Sequence, residues 1–182
     1  MAVMMVAACA ALGLAACAPA GPATPAIQPA RTIPAPAVTS VDTSKSNAAK
    51  AAALAAYNGY LAAYVTASHT ADWNAKSIVK YAADPLLQQA QVALHNLLDA
   101  HHVMKGQPIS HPVVAAVNTA ASPATVLLAD CVDTTHWIEI AKTTGKPVSA
   151  AGGHEAVSVV VVDYPGHGWL VQQSKQSKVS TC

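Results

Sequence analysis

The distribution of proline divides the chain into a part that cannot form a compact core and a part that can. Six of the twelve prolines lie between Pro19 and Pro36, in a stretch with almost no large apolar side chain. Such a composition favours extended, polyproline-like conformations. Proline is then absent until Pro85. We therefore expect a spacer over residues 17–46 and one folded domain over residues 47–182, a length that can bury a core.

Residues 1–16 are typical of a secretory signal peptide. Every residue from Ala2 to Cys17 is Ala, Val, Met, Leu, Gly or Cys. This apolar run is shorter than the roughly 20 residues that a membrane-spanning helix needs. A plain secretory signal that is cut near Ala20, or a buried N-terminal helix, would also account for the apolar run on its own.

The end of the apolar run points to lipid attachment. Leu14-Ala15-Ala16-Cys17 resembles the bacterial lipobox, in which an aliphatic and two small residues precede the cysteine that receives a diacylglycerol thioether. Cleavage would leave Cys17 as an N-acylated N-terminus carrying fatty acids such as palmitate. The sequence therefore predicts an extracytoplasmic lipoprotein that is anchored to the cell membrane by its lipid.

Cysteine usage agrees with export. If Cys9 is removed with the signal and Cys17 carries lipid, Cys131 and Cys182 remain. An even pair in an exported chain predicts a disulfide. The alternative is two free thiols.

The charge pattern excludes nucleic acid as a partner. The formal net charge is +1, 10% of the residues are charged, and no cluster of Lys and Arg occurs. Nucleic-acid binding requires a basic stripe or patch. A glycine-rich phosphate loop, a nucleophile elbow and a paired-cysteine metal motif are also missing, so no cofactor is predicted.

Three helices are predicted in the first half of the domain. The first covers residues 46–70 and is capped at Ser46 or Asn47; its expected apolar face is Leu54, Tyr57, Leu61, Tyr64 and Val65. A short helix follows over residues 72–83. The third begins after a cap at Asp84, with Pro85 at its first position; its expected inner face is Leu87, Ala90, Leu94, Leu97, Leu98 and His101.

The second half of the domain has a strand pattern. Candidate strands are separated by short turn-forming stretches rich in Gly, Pro, Asp and Ser, and they cover residues 111–120, 124–131, 136–144, 154–164 and 168–175. Short connections predict antiparallel neighbours in a meander. Helices followed by strands indicate an α+β fold, with the helices packed on one face of a curved antiparallel sheet.

Local motifs add a resemblance to a known family. They are Gly106-Gln107-Pro108, the run from Asp130 to Trp137, Gly168-Trp169-Leu170-Val171, and the terminal Thr181-Cys182. In this order, after a lipobox and spacer, the chain resembles actinobacterial lipoproteins with a nuclear transport factor 2-like (cystatin-like) cone domain. The resemblance implies a cone with a cavity between helices and sheet. Such cones bind a small molecule, pair through the sheet, or act as isomerases and cyclases.

Two residues near Cys131 are candidate general bases for the enzymatic alternative. An Asp or His base with a Tyr donor is the arrangement that the resemblance implies, so Asp130 or His136 would act with Tyr57, Tyr60 or Tyr64. Structural interpretations of the same segment are simpler. Asp133-Thr134-Thr135 fits a tight turn in which the carboxylate accepts backbone hydrogen bonds. Trp137 fits the core, and alternation places Asp130 and Cys131 on opposite faces of a strand.

A metal site is a weaker hypothesis. His95, Asp99 and His102 are spaced four and three residues apart, on the face opposite the leucines. Three such ligands on one helix could share a zinc ion. An exposed polar face explains the same spacing without a metal, so no metal site is predicted.

The sequence favours a non-catalytic envelope protein that binds a small hydrophobic ligand or a partner protein. Homodimerisation through the sheet is one form of partner binding. The expected pocket residues are Tyr57, Tyr64, Trp73, Leu94, Trp137 and Trp169. The competing hypotheses are a cyclase- or isomerase-like enzyme, and a purely structural domain whose interior is filled by its own side chains.

Replacement of Cys17 tests the lipid anchor. We expect Cys17→Ala to move the protein from the membrane and detergent phase into the aqueous phase, because no acyl chain can then be attached. Phase partitioning and intact mass of the mature protein measure this. A variant that remains membrane-bound, with a mature mass changed only by the substitution, would show that Cys17 carries no lipid.

Overall fold

The computed structural model describes residues 42–177 and 182 of the chain. These residues belong to a compact unit that spans Ser40–Cys182. The predicted signal peptide, Cys17 and the spacer up to residue 41 lie outside the described residues. The described part is an α+β fold in which an N-terminal helical segment precedes antiparallel sheets.

The first helix, α1 (Thr43–Ser68), begins earlier than predicted. Its cap is Asp42, whose carboxylate accepts hydrogen bonds from the backbone N–H groups of Ser44 and Lys45 at 3.1 and 3.3 Å. The predicted caps, Ser46 and Asn47, are therefore interior helical residues. An aspartate satisfies the free N–H groups of the first turn and carries a negative charge at the positive end of the helix.

The face of α1 that meets the sheet is mainly alanine. Its buried residues are Ala49, Ala53, Ala56, Tyr57, Tyr60, Ala63, Ala67 and Ser68. Among the predicted face residues, Tyr57 is buried, whereas Leu54, Leu61 and Tyr64 are only partly so. Prediction by side-chain size therefore placed the centre of the buried face wrongly. Small side chains at the contact allow the helix to lie close to the sheet, as close packing of the interior requires.

Two further helices follow, α2 (Lys76–Val79) and α3 (Leu86–Asp99). The predicted cap of α3 is wrong. Pro85, not Asp84, occupies the N-cap position and makes no side-chain capping bond.

The inner face of α3 is shorter than predicted. Leu86, Ala90 and Leu94 are its buried residues, while Leu98 is 41% exposed. His101 lies beyond the end of the helix, is exposed, and has a φ of 56°. The chain reverses at that residue, so His101 cannot continue the helical face.

Six strands form two sheets in the described part of the chain. They are β1 (His102–Lys105), β2 (Val113–Asn118), β3 (Thr125–Asp133), β4 (Ile138–Ala141), β5 (His154–Tyr164) and β6 (Gly168–Gln176). The larger sheet has the antiparallel order β2-β3-β5-β6, and the smaller pairs β1 with β4. The strands do not close into a barrel.

The predicted simple meander is therefore only partly correct. Four of the five predicted strands lie side by side in the large sheet, in chain order. The fifth, β4, pairs instead with β1, a strand that the sequence did not predict. Gly106 makes this pairing sterically feasible. It has a φ of +79°, and a Cβ there would overlap the backbone carbonyl of His136.

The core lies between α1, α3 and one face of the large sheet, here called the inner face. The largest fully buried side chains are Tyr57, Ile78, Leu94, Leu128, Val126, Val159, Val161, Val171 and Ser68. They belong to one packed cluster, apart from Ser68. The space between helices and sheet is thus occupied by the chain's own side chains.

Cys131 and Cys182 lie at disulfide-bonding distance, with sulfur atoms 2.15 Å and Cα atoms 5.8 Å apart. Cys131 is on β3, where its cross-strand partner is Ala156 of β5. The backbone N–H of Ser177 donates to the carbonyl of the same Ala156 at 2.8 Å. The pair therefore links the C-terminus to the middle strands of the sheet.

Loss of this bond is expected to destabilise the domain. The two residues are 51 apart in sequence, a loop for which the chain-entropy estimate is about 4 kcal/mol. We expect Cys182→Ser to lower the free energy of unfolding by a few kcal/mol and to make the chain after Lys175 sensitive to protease.

The matched control is the double variant Cys131→Ser/Cys182→Ser, which should lose no more stability than Cys182→Ser in urea denaturation. Protein exported by its host that contains two free thiols, or a Cys182→Ser variant as stable as the parent, would contradict the linkage.

Candidate functional site

Asp130 is a buried charged residue on the inner face of the sheet. It is 6% exposed, and with Ser68 it makes up the buried polar residues of the described chain. Along β3, residues alternate between the two faces, and Val126, Leu128, Asp130 and Val132 are the buried ones. The expected separation of Asp130 from Cys131 onto opposite faces is confirmed by this pattern.

Three donors from two other segments surround the Asp130 carboxylate. The Tyr57 hydroxyl donates to Oδ2 at 2.9 Å, and the Ser110 hydroxyl donates to the same oxygen at 2.5 Å. The backbone N–H of His111 donates to Oδ1 at 2.8 Å. Buried polar groups require such partners, and hydrogen bonds to a carboxylate are stronger than neutral ones. The cluster therefore joins α1, the connection between β1 and β2, and β3.

The Tyr57 hydroxyl remains protonated and is therefore a permanent hydrogen-bond donor. Burial is the main cause that raises the pKa of Tyr57 far above its usual range, and the neighbouring Asp130 raises it further. Burial also raises the pKa of Tyr60, with a contribution from Tyr64. Tyr57 thus keeps its proton at all ordinary pH values and donates a hydrogen bond to Asp130.

His136 is not part of this cluster. It is exposed in the connection between β3 and β4, and none of the hydrogen bonds to Asp130 comes from it. Of the two candidate bases, Asp130 is the one that is hydrogen-bonded to a tyrosine in the described part of the chain, and that tyrosine is Tyr57.

The turn predicted after β3 is confirmed. The backbone N–H and the hydroxyl of Thr135 both donate to Oδ1 of Asp133, at 2.9 and 2.7 Å. These hydrogen bonds, first from the hydroxyl and then from the backbone, lower the pKa of Asp133. Asp133 therefore shapes a turn, as the pattern Asp-Thr-Thr indicated.

The six expected pocket residues lie in different parts of the domain. Tyr57 and Leu94 are packed in the core, at 1% and 0% exposure. Trp73 is 42% exposed and makes an edge contact with the His95 ring at 5.6 Å. Trp169 packs at the margin of the core and lines a depression beside the first turns of α1.

The remaining two pocket residues do contact each other. The rings of Tyr64 and Trp137 meet edge to face at 5.9 Å, and Tyr64 stacks on Tyr60 at the same distance. The indole Nε1 of Trp137 is buried without a hydrogen-bond partner in the described part of the chain. This aromatic cluster packs the β3–β4 connection against α1, and Trp137 is half-buried outside the core cluster.

The three residues of the weak metal hypothesis are separated. His95 pairs with Asp99 at 3.1 Å on the exposed face of α3, whereas His102 lies on β1 and its Nδ1 is 2.7 Å from Glu139 of β4. Over residues 42–177 and 182, no group of three or more His, Cys, Asp or Glu side chains could hold a metal ion.

The second candidate surface is the face of the large sheet that points away from the helices. We define the outer face by five residues that share it through cross-strand pairing: Val113, Ala116, Leu127, Ala129 and Val160. Val113 is 62% and Leu127 38% exposed. Ala129 and its partner Ser158 are exposed too. Nothing in the described chain therefore covers the centre of this apolar face.

Sequence reasoning considered pairing through the sheet but did not identify the residues of the outer face or two members of the Asp130 cluster. Alternation along β3 and β5 contained a signal for the outer face, because Leu127 and Ala129 are apolar at positions where a solvated face would be polar. Ser110 and the His111 backbone had no such signal. They reach Asp130 because Ile109 forms a backbone bridge with Asp133, which aligns that segment beside β3.

Comparison with known proteins identifies no family for this chain. The sequence matches no known protein family, and no curated protein matches it. The structure is similar to the crystal structure of the intermembrane space region of the chloroplast protein ARC6, with a TM-score of 0.48 and 10% sequence identity. The match covers 70% of this chain and 95% of that chain. At that TM-score the similarity does not establish a shared fold.

No helix in the described chain is long and apolar enough to cross a membrane.

The Asp130 cluster predicts that two Tyr→Phe substitutions on α1 lower the free energy of unfolding by different amounts. Tyr57→Phe removes one donor from a buried carboxylate and should lower the free energy of unfolding by about 1–3 kcal/mol. Tyr64→Phe is the matched control on the same helix, since its hydroxyl makes no bond to Asp130, and it should cost less. Chemical denaturation of both variants measures the difference; equal stabilities would contradict the cluster.

The same cluster has a pH signature. The pKa of Tyr57 is higher in the folded state than the usual value of about 10. The contribution of Tyr57 to the free energy of unfolding is therefore fully present below pH ~10 and is lost as the pH rises above it. The decline above pH ~10 should be shallower in Tyr57→Phe than in the parent.

Proposed function

We propose that the chain is a lipid-anchored, extracytoplasmic protein whose domain is a nuclear transport factor 2-like cone that binds a partner protein through its outer face. The anchor rests on the lipobox-like sequence that ends at Cys17. The bonding-distance pair Cys131 and Cys182 supports an oxidising compartment, where disulfides persist. The spacer would allow the domain to reach a partner beyond the membrane surface.

The observation that carries the partner proposal is the exposure of the outer face. Its central row places Ala116, Leu127 and Val160 side by side across three strands. Exposed apolar patches of this kind mark interaction sites on soluble domains. In the adjacent row of paired residues the charged side chain is Lys175, which pairs with Ser158 from the edge strand β6. An uncharged centre with a polar rim is the composition of a protein–protein interface.

An interior hydrophobic ligand has less support than a partner protein. The space between helices and sheet is filled by side chains such as Leu94, Leu128 and Val159, each 0% exposed. A ligand there would have to displace a close-packed core. We therefore assign the apolar binding function to the outer face, and propose a second copy of this chain as the first partner to test.

The enzymatic alternative rests on Asp130 and Tyr57. Their contact has the acid and the phenol that such a mechanism needs, but both side chains are buried and the carboxylate already accepts three hydrogen bonds. A general base must reach the proton that it removes. These contacts support a structural role for Asp130, and we propose no catalytic role for His136.

Charge placed at the centre of the outer face tests the proposal. Leu127→Lys should weaken partner association by roughly tenfold or more, because an interface core excludes an unpaired charge. Leu98→Lys on α3 is the matched control, since Leu98 is 41% and Leu127 38% exposed. Cross-linking in the native host and sedimentation of the full chain measure association.

The expected result is a cross-linked species that Leu98→Lys retains and Leu127→Lys loses. A homodimer band would identify the second copy, and a band of another mass would identify a different envelope protein. Equal cross-linking in both variants, or a co-purified hydrophobic metabolite seen by native mass spectrometry with no partner, would refute binding through the outer face.

A further inference from the structure

A groove lies beside the C-terminal half of α1. It runs between the C-terminal half of the helix and the segment that follows Gly106, and it has a volume of about 380 Å³. Its apolar side chains are Leu61, Ala62, Val65 and Pro108, and its polar ones are Asn58, Thr66, His69, Gln107 and Ser110. That volume is within the usual range of small-molecule pockets.

The two hydroxyl groups of the groove both donate hydrogen bonds to other groups of the protein. Ser110 donates to Asp130, and Thr66 donates to the carbonyl oxygen of Ala62 at 2.9 Å. A hydroxyl has one proton and two lone pairs. Both oxygens can therefore only accept a further hydrogen bond from a bound molecule.

Amide oxygens add to these acceptors. Asn58 and Gln107 line the same groove, and each side chain has a carbonyl oxygen that can accept a hydrogen bond. His69 Nε2 is 2.7 Å from the carbonyl oxygen of Gly106. Because a carbonyl only accepts, Nε2 must carry a proton, and its donor capacity is used within the protein.

The charge behind Ser110 has the matching sign. Asp130 is held by a phenol, a hydroxyl and a backbone N–H, all of them neutral donors. The ion pairs found in the described chain are His95–Asp99 and His102–Glu139, so neither compensates it. A carboxylate without a cation attracts positive charge to the adjoining groove.

We propose that this groove binds a small alkylammonium compound. The ammonium group has three N–H donors and a positive charge, which match the acceptors Ser110 Oγ and Thr66 Oγ1 and the carboxylate behind them. The aliphatic part packs on Leu61, Val65 and Pro108. This site is independent of the outer face and of any partner that binds there.

Titration of the full chain with n-hexylammonium tests the chemistry of the ligand. Neutral 1-hexanol and anionic hexanoate are the matched probes, since they keep the aliphatic chain and change the head group. We expect n-hexylammonium to bind at least tenfold more tightly than 1-hexanol, with hexanoate weakest, as measured by calorimetry. Chemical-shift changes should centre on Thr66, His69 and Ser110.

Two threonines on α1 and just after it provide the matched variants. Thr66→Val removes an acceptor from the groove, and should weaken n-hexylammonium binding about tenfold, because a hydrogen bond to a charged group is lost. Thr70 also donates to a helix carbonyl, that of Ala67 at 3.3 Å, but it does not line the groove. Thr70→Val should therefore bind as the parent does, and circular dichroism should show both variants folded.

Several results would overturn the proposal: no binding of n-hexylammonium, equal binding of 1-hexanol, equal effects of the two threonine variants, or shifts confined to the outer face. A lysine side chain offers the same head group from a protein source. If Nα-acetyl-lysine methylamide binds at least tenfold more tightly than n-hexylammonium, the groove recognises a peptide and the small-molecule assignment is wrong.

Discussion

The domain depends on one buried carboxylate that donors from two other segments must satisfy together. Asp130 lies on β3, an inner strand of the sheet, and accepts hydrogen bonds from Tyr57 of α1, from Ser110, and from the backbone of His111. A buried carboxylate without partners would cost several kcal/mol. The helix, the β1–β2 connection and β3 must therefore assemble in one relative position, and a displaced packing of α1 would leave the charge unsatisfied.

Alanine makes that position reachable. The buried face of α1 has alanines at positions 49, 53, 56, 63 and 67, and only its tyrosines extend far. With the backbone held close to the sheet, the Tyr57 hydroxyl spans the remaining distance to Asp130, and the Tyr60 and Tyr64 rings continue toward Trp137. A helix with leucines on this face would stand farther from the sheet and would move the phenol away from the carboxylate.

Sequence periodicity predicted β5 to the residue, and β2, β3 and β6 closely, because each alternates or is β-branched between clear turns. It did not predict β1, whose four residues follow a backbone reversal at His101 and gain their order from β4. The expected pocket was drawn mainly from aromatic residues, and residue type does not fix direction: Trp73 is partly exposed beside His95, whereas Tyr57 is buried against a carboxylate. Alternation correctly separated Asp130 from Cys131, but the donors to Asp130 come from elements whose relative position only the tertiary structure defines.

The Asp130 cluster also links the interior to the surface chemistry of the domain. Because the Ser110 proton points inward to the carboxylate, the Ser110 oxygen presents only lone pairs to the groove beside α1. The structural requirement to satisfy a buried charge thus determines that the Ser110 hydroxyl accepts a hydrogen bond from the groove and does not donate one. The outer face is chemically different, since its apolar residues alternate with the buried row that contains Asp130. One strand, β3, therefore supplies both the charge behind a polar groove and the centre of an apolar surface, and the two surfaces can be altered separately by substitution on its opposite sides.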